Sequence, residues 1–105
     1  MKYMIEYTIR NTGLTYDQNF ANSESLLKAF NKWKPDDGLN IQAFVANLAN
    51  GGYVLVEASD PKVVASFVGK FNFWNDVDVV PVIDVSEAVP IGHSSLAWAQ
   101  SSSKG

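Results

Sequence analysis

The chain has 105 residues, a single histidine, no cysteine and a net charge of −3, with 47% of its residues apolar and 12% aromatic. That length predicts one domain with a substantial core, and the missing cysteine excludes disulfides, thiolate nucleophiles, iron–sulfur clusters and cysteine-based zinc sites. Arg10 is the only arginine and acids outnumber bases by eleven to eight, so no guanidinium set exists to grip phosphates or read base edges, and nucleic-acid binding is not expected.

No run approaches the roughly 18 apolar residues of a membrane-spanning helix, and Met1 to Glu6 lacks a signal-peptide core. The expectation is a soluble, cytoplasmic chain with no membrane contact. Its charges cluster, with Asp76, Asp78, Asp84 and Glu87 late and Lys28, Lys32 and Lys34 earlier; both groups read as solvated faces.

Residues 2–10 alternate with period two and are rich in aromatic and β-branched types, which predicts a first strand. Tyr3, Ile5, Tyr7 and Ile9 form its apolar face, and Met4, Glu6, Thr8 and Arg10 its mixed face. Asn11-Thr12-Gly13 breaks it. Thr15 followed three residues later by Gln18 matches a capping box, so a helix is expected there, with Phe20, Leu26, Leu27, Phe30 and Trp33 as its stripe and Pro35 as its end.

A second strand is predicted from Leu39 to Leu48, with Ile41, Ala43 and Val45 on one face and Gln42, Phe44 and Ala46 on the other. Asn50-Gly51-Gly52 predicts a hairpin, on the ground that these residues accept the positive φ of primed turns. The third strand follows from Tyr53 to Ala58. Asp60-Pro61 marks a second helix start, with Val64, Phe67, Val68 and Phe71 at i, i+3, i+4 and i+7. A fourth strand runs from Val77 to Val85, and Pro81, which cannot donate to a ladder, assigns it to a sheet edge. After that a helical turn near Glu87-Ala88 and a frayed serine-rich tail are expected. Residues 1–90 thus read as one domain and 91–105 as an extension.

The order βαββαβ is the ferredoxin-like split-βαβ motif: an α+β fold with a four-stranded antiparallel sheet, strands one and three central and strands four and two outside. Both helices cover one face, over Tyr3, Ile5, Ile9, Ile41, Val45, Val54 and Val56. The other face is bare and carries Met4, Glu6, Thr8, Gln42, Phe44, Tyr53, Leu55 and Glu57, too apolar to stay wholly in water. A second copy packed face to face would cover it, which predicts a homodimeric α+β barrel enclosing a space lined by these side chains.

Several segments together resemble a known family. The opening Met-Lys-Tyr-Met-Ile-Glu-Tyr-Thr, the Phe30-Asn-Lys-Trp-Lys-Pro35 helix end, Gly51 to Ala58 running into Asp60-Pro61, and Val80-Pro-Val-Ile-Asp84 before Glu87-Ala88 are similar to short bacterial proteins of a domain-of-unknown-function family. The resemblance spans about residues 1–88 and extends to the dimeric α+β barrel superfamily. It implies that fold and a dimer. For function it implies only a range, from cofactor-free monooxygenases and haem-degrading enzymes to muconolactone isomerase-like and stress-responsive proteins, and fold alone does not choose among them.

Glu6 and Glu57 are the candidate catalytic residues, because two carboxylates on neighbouring central strands could raise each other's proton affinity and act as acid and base. The plainer alternative leaves them hydrated at the barrel mouth or paired with Arg10. Tyr53, Trp74, Gln42, Thr8, Phe44 and Leu55 are the candidate ligand contacts, the aromatics shaping a pocket and Gln42 and Thr8 supplying neutral hydrogen bonds. Tyr7 and Trp33 read more simply as core.

His93 has no metal-binding companion, so neither metal nor other cofactor is expected. Ser94 and Ser95 lack a Gly-x-Ser-x-Gly elbow, and Asn50-Gly51-Gly52 lacks the Lys-Ser/Thr and helix of a phosphate loop. The loop after the first strand is too short and too poor in bases for an acylphosphatase. The leading expectation is a homodimer binding a small apolar or aromatic metabolite. The alternatives are a cofactor-independent monooxygenase or isomerase and an interaction dimer with a filled interior.

Overall fold

The alternating pattern of the first segment becomes β1 (Lys2–Ile9) in the computed structural model, which describes residues 1–11 and 13–104. Thr12 of the predicted strand break and Gly105 of the tail lie outside the described residues. The remaining elements are α1 (Tyr16–Lys32), β2 (Asn40–Ala46), β3 (Gly51–Glu57), α2 (Pro61–Phe71), β4 (Asn75–Val82) and α3 (Val85–Ser103). The sheet is antiparallel throughout, in the order β2-β3-β1-β4, so Pro81 lies on an edge strand as its missing N–H requires.

Local chemistry sets the helix starts. Gln18 donates its backbone N–H to the Thr15 hydroxyl at 3.1 Å, and the Gln18 side-chain Oε1 accepts from the Thr15 backbone N–H at 3.3 Å, completing the capping box. The Asp60 carboxylate accepts from the Lys62 N–H at 2.9 Å ahead of α2, whose first residue is Pro61. The core is Ile5 from β1, Val54 and Val56 from β3, and Val64, Phe67 and Phe71 from α2, with Leu39 and Ala58 at its margins. Full burial of such a side chain contributes about 1.5–3 kcal/mol.

Three features differ from the expectations. First, β2 carries a bulge between Ile41 and Ala43. Ile41 pairs with Val56, but Ala43 then pairs with Leu55, Phe44 with Val54 and Val45 with Tyr53. The extra residue, Gln42, reverses the alternation beyond it, so Phe44 joins the helix-covered face and Val45 the bare one. Second, Gly51 and Gly52 do not supply positive φ; among the described residues only Gly38 does, at 87°. They lie within β3, where a Cβ on Gly51 would strike the Tyr7 carbonyl and one on Gly52 the Val45 carbonyl and the Tyr7 hydroxyl. Close backbone approach is what demands glycine there.

Third, the expected turn and frayed tail form one continuous helix, α3. Asp84 precedes it, and its backbone carbonyl accepts from the Glu87 and Ala88 N–H groups. Its carboxylate accepts instead from Lys2 Nζ at 2.7 Å. Every described residue of α3 is exposed, and the helix accounts for a molecule 67 Å in its longest dimension. Within it Ser95 and Ser101 donate their hydroxyls to the carbonyls of Ile91 and Trp98, so serines here return to the helix they sit in.

Candidate functional site

β1 presents its two faces to different surroundings. Ile5, Tyr7 and Ile9 point toward the helices, and between them and α1 lies a partly enclosed cavity of about 210 Å³. Val54 from β3, Phe44 from β2 and Val77 from β4 extend its floor, Leu26, Leu27 and Phe30 from α1 form its roof, and Phe67, Val68 and Phe71 from α2 form a wall. The cavity exists because α1 is loosely seated. No α1 side chain is fully buried, and Leu27 and Phe30 remain 64% and 43% exposed.

Aromatic rings make the outer end of the site. Phe44 stands edge-on to Tyr7 and Phe30, with ring centres 5.8 and 5.6 Å apart, and Trp33 leans on Phe67 at 5.3 Å. Such contacts keep the rings mutually oriented. Two of the lining residues, Tyr7 and Asn75, carry polar side-chain groups. The Tyr7 hydroxyl donates to the Val45 carbonyl at 3.2 Å, and partial burial raises its pKa above the ordinary phenol value.

The other is Asn75, only 4% exposed at the start of β4, opposite Ile9. Its Nδ2 donates to the Phe71 carbonyl at 3.0 Å, while its Oδ1 is buried with no partner. A carbonyl accepts and never donates, which fixes the amide orientation and leaves the oxygen as the orphan. Nearby, the Arg10 guanidinium donates to the Asn72 carbonyl and lies 3.6 Å from Asp76, tying β1 to the turn before β4, although its Nε has no partner.

The residues singled out from sequence divide between the two faces. Glu57 is opposite Lys2 and accepts a hydrogen bond from Gln42 Nε2 at 2.8 Å. Glu6 stands four residues further along β1, about 13 Å away, between Tyr53 on one side and Asp78 on the other. The two glutamates are therefore not brought together. Thr8 lies between Gly51 and Asp76, Leu55 opposite Met4, and Tyr53 is 42% exposed, all on the bare face.

Trp74 packs against Phe71 and Phe73 and borders a shallow hollow outside the cavity with Trp33 and Lys70. Of the candidate ligand contacts only Phe44 lines the cavity. Asn75 lies just ahead of the fourth strand expected from Val77; extending the period of Val77 and Val79 back two residues places it on the helix-covered face, opposite Ile9. His93 is exposed on α3, and among the described residues no three His, Cys, Asp or Glu side chains are grouped to hold a metal ion. Among the same residues no helix is long and apolar enough to cross a membrane.

A family model described as a domain of unknown function, DUF3303, matches residues 1–96. The chain belongs to this family. The match covers the whole sheet, both packed helices and the first part of α3, so the DUF3303 domain includes every residue of the cavity. No curated protein matches the chain in sequence.

Proposed function

We propose that this DUF3303 protein binds a small, largely apolar or aromatic molecule in the cavity between α1 and the sheet, and that it does so as a homodimer joined through the bare sheet faces. The observation that carries the binding is the cavity itself, roofed by a helix with no fully buried side chain. An apolar void of about 150 Å³ holds benzene, so 210 Å³ suits a molecule of one or two rings. What supports the dimer is the bare face, where Met4, Leu55, Tyr53, Val45 and Val80 share one side of the sheet and, among the described residues, no helix packs over them.

An acid–base enzyme has less support. Glu6 and Glu57 stand apart from each other, and neither borders the cavity. Native mass spectrometry of gently purified protein, followed by denaturing spectra of the same sample, tests both halves of the proposal. The expected result is a dimer carrying a non-covalent adduct that denaturation releases, and a Leu55→Asp variant that is a folded monomer retaining the adduct. An empty protein that also fails to take up added one- or two-ring compounds overturns the binding half, and a wild-type monomer overturns the dimer.

A further inference from the structure

α3 is a helix that its own sequence supports poorly in water. Pro90 lies in its interior, where it removes the bond to the Ser86 carbonyl, and Gly92 and the β-branched Val85, Val89 and Ile91 are weak helix formers. Most helical stability in proteins comes from packing an apolar face, yet every described residue of α3 is exposed, Leu96 by 64% and Trp98 by 71%. Such a face is present. Around the helix axis Val85, Val89 and Leu96 bound one side and Ile91 and Trp98 the other side of an apolar half, while Ser86, His93, Ser94 and Gln100 share the remaining half.

The root of α3 lies on the bare sheet face. Lys2, paired across the ladder with Glu57 and Val82, donates to the Asp84 carboxylate at 2.7 Å and pins the helix start to the corner of that face. From there α3 runs away from its own sheet, in a molecule 67 Å long. The bare face alone is small for a stable interface. Four strands about 4.8 Å apart and at most eight residues long span about 500 Å² in plan, against about 800 Å² per partner in a standard interface. A 19-residue helix adds a face of about 28 Å by 10 Å. Each subunit then buries its own arm and the surface beneath the other's, which carries the interface past that figure.

We infer that α3 is an exchanged arm: in the homodimer proposed above, on which this inference rests, each α3 lies against the second copy of the chain, buries Leu96 and Trp98 there and draws its stability from that contact. The sheets supply the flat centre of the interface and the arms its margin.

Amide hydrogen exchange of the full chain, read by mass spectrometry, tests this in the dimer and in the Leu55→Asp monomer. The expected result is that the α3 amides exchange at least about tenfold more slowly in the dimer than in the monomer, while β1, β3 and α2 stay protected in both. A second variant, Leu96→Ala with Trp98→Ala, is expected to raise the dimer dissociation constant at least about tenfold in sedimentation, because buried aromatic anchors carry much of an interface's energy.

A dimer whose α3 exchanges freely, or one that the double variant leaves equally tight, overturns the arm and leaves the dimer standing. Equal protection of α3 in the Leu55→Asp monomer overturns the arm as well. A wild-type chain that is monomeric at every concentration overturns the dimer reading itself. The double variant decides if Leu55→Asp does not fold, since its substitutions lie on an exposed helix away from the buried Ile5, Val54 and Val56.

Discussion

One residue apart along the same strands, the two faces of the sheet have opposite fates. Ile5, Val54 and Val56 are at most 1% exposed, whereas their neighbours Met4, Tyr53 and Leu55 keep contact with solvent. A second asymmetry lies within the covered face. α2 buries Val64, Phe67 and Phe71, while α1 buries no side chain fully and leaves a void beneath Leu26, Leu27 and Phe30. Stability in this molecule comes from β1, β3 and α2, and α1 is free to serve as the wall of a site, since binding elements are drawn from the less stable parts of a fold.

The sharpest way to break the first comparison is a polar substitution on each face. Val54→Asp buries an unpaired carboxylate and is expected to cost about 4 kcal/mol or more, whereas Tyr53→Ser on the other face, with both made in the Leu55→Asp background so that no dimer interface contributes, should cost about 1 kcal/mol or less. Denaturant midpoints read both, and equal effects would erase the distinction between the faces. The helix comparison predicts about 3–5 kcal/mol for Phe67→Ala in α2 and less than about 1 kcal/mol for Leu27→Ala in α1. Amide hydrogen exchange sharpens it further, with α1 exchanging well ahead of α2.

The smallest effect concerns how α2 is tied to the α1–β2 connection. Asp36 accepts from Lys70 Nζ and from the Ser66 hydroxyl, each at 2.8 Å, and these bonds, Lys70 foremost, hold its carboxyl below the usual value of 3.8. A depressed folded-state pKa contributes stability when the group is ionised in both states, and that contribution fades as pH falls through the folded value. Asp36→Asn should therefore lower Tm slightly near neutral pH, with the difference vanishing in acid. A difference that grows in acid would contradict the ion pair.

Much of this architecture is legible in the residues. Period-two alternation in β1 and β3, the Thr15–Gln18 box, Asp60-Pro61 and the edge proline Pro81 are local signals, and each has its expected structural consequence. The bulge at Gln42 is not local, because it depends on how β2 registers against β3, and it moved Phe44 from the bare face to the cavity. The full length of α3 is not legible locally, because the segment after the turn at Glu87-Ala88 lacks clear periodicity and ends in a serine-rich run; the signals for a helix were Asp84 with Glu87 three residues on, and the 4-3-4 spacing of Val85, Val89, Gly92 and Leu96.

The cavity was least legible of all. Its volume depends on how far α1 stands from the sheet, which no periodicity encodes.

The most direct test is a titration of the methyl-labelled chain with indole, followed by carbon–proton correlation spectra. Binding beneath α1 predicts shifts concentrated on the methyls of Ile5, Leu26 and Val54, with Met4, Leu55 and Val80 unmoved. Shifts confined to Met4, Leu55 and Val80 would put the ligand on the bare face and contradict the account.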